Sequence, residues 1–314
     1  MSERWLWTQK EDIGPSPRGG HTMVYEAARQ RVVLFGGFGP ATPGATTNSN
    51  LGDTWVWDGG AWTQVADTGP DPRLIHGMVY DDSRQRVVLF GGFGSTPPFG
   101  DTWEWDGTEW TQVADIGPTG RYGCPLTYDT VRQRVVLFGG FGPATPGATT
   151  YSYLGDTWEW DGTEWTQIAD TGPSERYVPA MAFDRSRECQ VLFGGYFQGT
   201  WFNDTWEWAD GTGWVKRQDM GPQSIAFPKI TYTEKGTVLF ACKSGVFVGS
   251  GQTWEWDGKL WTQHQDMGPK ARDRYALVYD SQRDRVVLFG GLTVQAAEPL
   301  GDTWELAIIE QPPE

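Results

Sequence analysis

The chain has 314 residues, 40 acidic and 25 basic, for a formal charge of −15, the wrong sign for a polyphosphate partner, so nucleic acid is not expected. Nineteen tryptophans, 42 glycines and 20 prolines with only 38 % apolar residues exclude a helical bundle or a disordered tail and suit many short strands joined by punctuated turns. No run reaches the ~18 apolar residues of a membrane helix, and Met1 to Lys10 lack the basic start and apolar core of a secretion signal; no membrane partner and a cytoplasmic location are expected.

In chain order, Trp5 to Gln9 read as an isolated strand with nothing before it. A four-strand unit follows: His21 to Tyr25, then Val32 to Phe35 closed by two glycines, then Asp53 to Trp57, then Trp62 to Val65. A short polar turn, Glu26 to Gln30, joins strands one and two, and Asp58-Gly59 joins strands three and four as a tight hairpin. The segment Arg31 to Gly37 returns at Arg86 to Gly92, Arg134 to Gly140 and Arg285 to Gly291, with weaker copies at Cys189 to Gly195 and Gly236 to Cys242. Its leucine falls at 34, 89, 137, 192, 239 and 288, a period near 50 residues, which for strand-built repeats means propeller blades. An Asp-x-Gly-Pro linker, first at 12 to 15 and last at 266 to 269, separates the units. The chain ends on Asp302 to Leu306, a third strand with no fourth after it. The two remainders complete one another.

The expected fold is therefore all-β: a six-bladed β-propeller of four antiparallel strands per blade, the last blade closed by the N-terminal strand. It occupies 1–314 as one propeller, with blades near 18–67, 73–115, 121–170, 176–219, 225–266 and 272–309, the last completed by 3–12. Tryptophans two apart on third strands, such as Trp103 and Trp105, share a face and are read as walls between blades. The repeated aspartates 53, 101, 156, 204 and 302 are read as caps on loop backbone, because equivalents around a ring do not make a catalytic carboxylate. Cys124, Cys189 and Cys242 are too few for a disulfide framework, and His264, on an outer strand, is expected to face solvent.

The paired glycines (36 and 37, 91 and 92, 139 and 140, 194 and 195, 290 and 291), the Asp-x-Trp third strands and the fourth-strand tryptophan resemble the kelch repeat, over essentially residues 3 to 309. The resemblance implies a family that includes protein-binding modules, a sialic acid epimerase, plant specifier proteins and the central domain of galactose oxidase. Fold alone does not choose among them. Arg121-Tyr-Gly-Cys-Pro125 is similar to the cysteine region of galactose oxidase, but six blades and differently placed histidines leave oxidase chemistry uncarried, and the specifier proteins' iron pattern is absent.

Function is expected on the face where the variable loops emerge. Blades one and three carry the same insert, Phe38 to Thr47 and Phe141 to Thr150, followed by Asn48-Ser-Asn50 in one and Tyr151-Ser-Tyr153 in the other; blade four adds Trp201 and Phe202. Arginines lead into strand one at 18, 73, 121, 176 and 272, replaced by Ile225 in blade five. Of these, Arg121 and Arg176, with Arg274, stand beside Tyr122, Tyr177 and Tyr275, an Arg/Tyr rim suited to a small anionic or aromatic molecule, or to a protein or peptide. Structural bonding within the loops is the competing role for the arginines. His21, His76 and Cys124 occupy one inner-strand position in consecutive blades and would form a zinc, copper or iron set if they converge on the axis; a structural role is the alternative. Glu175, Asp273 and Glu298, without copies in every blade, are the acid/base candidates. The leading reading is a binding propeller, and the alternative is a small-molecule enzyme of isomerase, cyclase or oxidase type.

Overall fold

The computed structural model describes residues 3–10, 13–42, 44–94, 97–223, 225–243, 251–265 and 268–310; Asp12 and Asp266 of the linkers lie outside them. Six four-stranded antiparallel sheets form the blades of a propeller. Their inner strands are Thr22–Glu26, Gly77–Asp81, Leu126–Asp129, Ala180–Asp184, Ile225–Thr233 and Ala276–Asp280. Each packs against the next, and the sixth returns to the first. Glu3–Gln9 pairs along its whole length with Thr303–Glu310, so the N-terminal strand is the outer strand of the blade that the C-terminus begins. Among the described residues no helix is long and apolar enough to cross a membrane.

The second strand explains the repeat's unbroken Val-Val-Leu-Phe run. Side chains alternate between faces, and in a propeller both faces of the blade are covered. Val32 and Leu34 pack on Val287 and Phe289 of blade six, while Val33 and Phe35 pack on Val87 and Leu89 of blade two, all of them fully buried. Third-strand tryptophans join these interfaces: Trp103 and Trp105 lie in one cluster with blade one. One outer-strand tryptophan per blade also donates its indole N–H to the third-strand threonine of the preceding blade. Trp110 reaches Thr54, Trp165 reaches Thr102 and Trp62 reaches Thr303, each at 2.9 Å. Trp7 does the same to Thr253 at 2.9 Å, and burying such a ring contributes roughly 3 to 4 kcal/mol.

Two expectations about frame residues are corrected. The repeated aspartates do not cap loop backbone; each takes a forked pair from the lead-in arginine of its own blade and the indole N–H of the tryptophan two residues on, as Asp101 does from Arg73 (2.6 and 2.9 Å) and Trp103 (2.7 Å). Only a carboxylate fits three such donors in one plane, whereas a capping role needs only a short polar side chain. His264 does not simply face water: it stacks on Trp5 with ring centroids 4.0 Å apart and bonds Glu255 at 2.6 Å.

Candidate functional site

Strands two and three extend further than the sequence predicts. In blades one, three and four they run on past the paired glycines as two-stranded ribbons, Arg31–Pro40 with Asn48–Trp57, Arg134–Pro143 with Tyr151–Trp160, and Cys189–Phe197 with Thr200–Ala209. The inserts are therefore mostly hairpin and not irregular loop. A register shift at the glycines bends each ribbon, and the first glycine permits the next blade to close in. At Gly36, with φ of 69°, an added Cβ would lie 2.6 Å from the Arg73 carbonyl oxygen. Isolated bridges tie each lead-in loop to its own ribbon, Tyr122 to Phe141 and Tyr177 to Tyr196 among them.

With the lead-in loops, the blade-two loop and the blade-five inner strand, the ribbons of blades three and four assemble aromatic rings from four blades. Starting in blade two, Phe93 meets Tyr122 at 5.3 Å, and Tyr122 meets Phe141 at 5.7 Å and Tyr177 at 5.5 Å. Phe141 meets Tyr151 at 6.2 Å and Tyr153 at 5.0 Å. Tyr153 continues to Tyr196 and Phe197 of blade four, and Tyr196 to Trp201 at 5.0 Å. Trp201 and Tyr177 both end on Phe227 of blade five. The pairs are tilted or edge-to-face, the arrangement ring quadrupoles favour, and the ten rings remain part-exposed. Arg274 lies over Phe227 at 5.0 Å and borders the network. Burial raises the Tyr122 hydroxyl above its ordinary pKa, reinforced by Tyr151 and Tyr153, so the phenol stays a neutral donor.

Beside the network an open groove of about 670 Å³ runs between the blade-three ribbon and blade four, with Tyr151, Tyr153 and Phe197 on its apolar side and Glu175, Gln167 and Gln198 on its polar side. Blade one has the equivalent groove, about 650 Å³, but there Asn50 and Ser49 stand at the ribbon positions that blade three fills with Tyr153 and Ser152. One backbone thus presents two chemistries.

The sequence-predicted rim divides accordingly. Tyr122, Tyr177, Tyr151, Tyr153 and Trp201 come together. Phe202 does not join them; it lies against the Arg176 guanidinium at 4.3 Å. Tyr275 turns inward, 1 % exposed, and its hydroxyl donates to the Phe240 carbonyl. Arg121 and Arg176 are each 1 % exposed and forked onto Asp156 and Asp204, which leaves Arg274 as the arginine of the three turned to the mouth. Phe93, Phe141, Tyr196, Phe197 and Phe227 were not singled out from sequence; pairing of the extended ribbons, invisible in the residue types, puts Phe141, Tyr196 and Phe197 beside the tyrosines, while Phe93 reaches them from the blade-two loop and Phe227 from the blade-five inner strand.

The inner-strand set borders one axial cavity, but each side chain is packed against a neighbouring blade. His21 leans against Phe289 of blade six and His76 against Phe35 of blade one, edge-to-face at 5.4 and 5.5 Å. Cys124 packs with Val88 and Phe90 of blade two. Each side chain fills the seam toward the preceding blade. Among the described residues no group of three His, Cys, Asp or Glu side chains is placed to hold a metal ion. The acid/base candidates are also dispersed: Glu175 lines the blade-three groove, Glu298 sits in the turn bonded to Thr293, and Asp273 adjoins Arg274. Asp273 is the unusual one. Its Oδ1 is buried without a hydrogen-bond partner, and burial raises its pKa against the pull of Arg274.

No protein-family model matches the chain. The six-bladed propeller therefore rests on its sheets, and the reading of the site on its side chains.

Proposed function

We propose that this is a ligand-binding propeller of kelch type whose partner lies across the aromatic face of blades three to five. The observation that carries the reading is the pair of near-identical ribbons in blades one and three, which differ where Asn48 and Asn50 give way to Tyr151 and Tyr153. A frame needs neither tyrosine, because blade one builds the same ribbon without them. Flat rings beside amides and a carboxylate suit a neutral ligand with one apolar face and hydroxyl or amide groups along its edge, a sugar ring or a peptide segment. Ligand-observed NMR with a panel of saccharides, flat heteroaromatics and short peptides tests this. The hits are expected to compete for one site and to vanish in Trp201→Ala; hits indifferent to that substitution would put binding elsewhere.

Asp273 favours a second reading, a small-molecule enzyme. A carboxyl whose neutral form is stabilised by burial can serve as a general acid. For such an enzyme, Asp273→Asn would abolish turnover of a bound hit while leaving its affinity unchanged, and an inert wild-type protein would remove the reading.

A further inference from the structure

The propeller axis holds a second, unrelated constellation. Where the inner strands of five blades place Thr22, Gly77, Pro125, Ala180 and Ala276, blade five places Lys229; pairing with Phe240 fixes that register, as Thr22 pairs with Phe35 and Ala276 with Phe289. The only long side chain of the six thus reaches into a cavity of about 150 Å³ on the axis, space for roughly five waters.

The lining has one sign. Lys229, Arg274, His21 and His76 contribute to it, and no aspartate or glutamate does. Among the described residues the Lys229 ammonium has neither a hydrogen-bond nor an ion-pair partner. Both ring nitrogens of His76, 5 % exposed, are buried without partners, and His21, 2 % exposed, meets at most the Phe289 carbonyl. The other charged groups near these rings are already committed: Arg18 and Arg73 are forked onto Asp53 and Asp101. Burial keeps the Cys124 thiol and the Tyr275 phenol neutral, and burial raises Asp273, which is not part of the lining, against the pull of Arg274. The nearest other carboxylates on the axis, Asp82 and Glu234, line the opposite mouth. Burial lowers the Lys229 amine to about 8, so at neutral pH it is still mostly a cation.

At the loop-face mouth, backbone bonds form a belt. Gly20 donates to Arg274, Ile75 to Gly20, Gly123 to Ile75 and Val178 to Gly123, at 2.7 to 2.8 Å. No equivalent bond among the described residues involves Phe227, the corresponding residue of blade five, two positions before Lys229. The belt is open on the lysine's side.

We propose that the axial cavity binds a small monovalent anion, a halide or a carboxylate no larger than acetate, between Lys229 and the buried imidazoles of His21 and His76. A part-buried cation without a protein counter-ion is costly, and an anion meeting two further N–H donors offsets that cost. In a chain of charge −15 such a site is not an outcome of general surface attraction. It stands independently of the aromatic face, so either reading can fail without the other.

Two measurements with defined salts test it, on wild type and on Lys229→Met, which keeps the length and apolar stem. Crystals grown in sodium bromide are expected to show an anomalous bromine peak within hydrogen-bond reach of Lys229 Nζ, lost in Lys229→Met. In solution at constant ionic strength, replacing gluconate, too large to enter, with bromide or formate is expected to raise the wild-type melting temperature saturably and leave Lys229→Met unmoved. A stronger response to formate identifies a carboxylate ligand, and a comparable or stronger one to bromide identifies a halide; both support the site. In gluconate the variant should melt at or above wild type, since it loses an uncompensated, partly desolvated charge, which separates loss of binding from misfolding. No peak on the axis, or equal anion responses in the two proteins, would overturn the proposal.

Discussion

His21 and His76 show how residue type and residue task part company. Two histidines and a cysteine at one inner-strand position invite a metal reading, yet each ring is a wedge against the preceding blade's phenylalanine. Burial, followed by the positive charge of Arg18 at His21 and of Arg73 at His76, holds both imidazoles well below the ordinary value. The unfolded chain, with histidines near 6.5, then binds more protons than the folded one as pH falls below neutrality, so stability is lost through that window. We expect chemical-denaturation free energies to drop between pH 7 and 5.5, before ordinary carboxylates titrate, and His21→Phe/His76→Phe to flatten that slope. A slope unchanged in the double variant would show that the imidazoles are not the source. At the same scale, Asp101→Ala strands the fully buried Arg73 and is expected to cost about 3–5 kcal/mol, read from the denaturation midpoint.

The blade was legible as an element because its signals are local and repeated. Asp-Gly turns, alternating apolar runs and paired glycines each fix a piece of backbone, and six copies average out the exceptions. The ribbons beyond the glycines were not legible, since Pro, Gly, Ala and Thr in residues 38–47 and 141–150 read as loop and only cross-strand pairing makes them strand. The Arg–Asp forks were half legible: both partners recur at fixed places, but their separation of 28 to 35 residues hides the contact. Lys229 carried a signal that went unread, a long cation aligned with small residues in five sister blades. At the glycine bend a direct test is available. Gly91 has φ of 68°, and a Cβ there would meet the Arg121 carbonyl oxygen at 2.4 Å. Gly91→Ala is therefore expected to destabilise by more than the ~1 kcal/mol of an ordinary helical or strand exchange, and a neutral result in urea melts would mean that the blades are not pressed together there.

For the whole molecule, closure by the N-terminal strand makes the first residues as important as any interior blade. Trp7 makes the same indole-to-threonine bond as Trp165, with 2.9 Å in both cases. Trp7→Ala and Trp165→Ala are expected to lower stability by similar amounts, about 3–5 kcal/mol each, and a much smaller loss for Trp7→Ala in equilibrium unfolding would mean that the ring closes weakly. The ring itself is nearly symmetric; its loop face is not. Aromatic rings gather over blades two to five, and the described lining of the equivalent blade-one groove has Trp55 but no tyrosine or phenylalanine. The protein supplies its own control, because Tyr151→Asn/Tyr153→Asn installs residues that blade one already carries on the same ribbon. Calorimetric titration of the strongest NMR hit into this variant tests the aromatic face most directly. At an unchanged melting temperature, Kd is expected to weaken at least tenfold, about 1.4 kcal/mol; an unaltered Kd would contradict the assignment of that face as the binding surface.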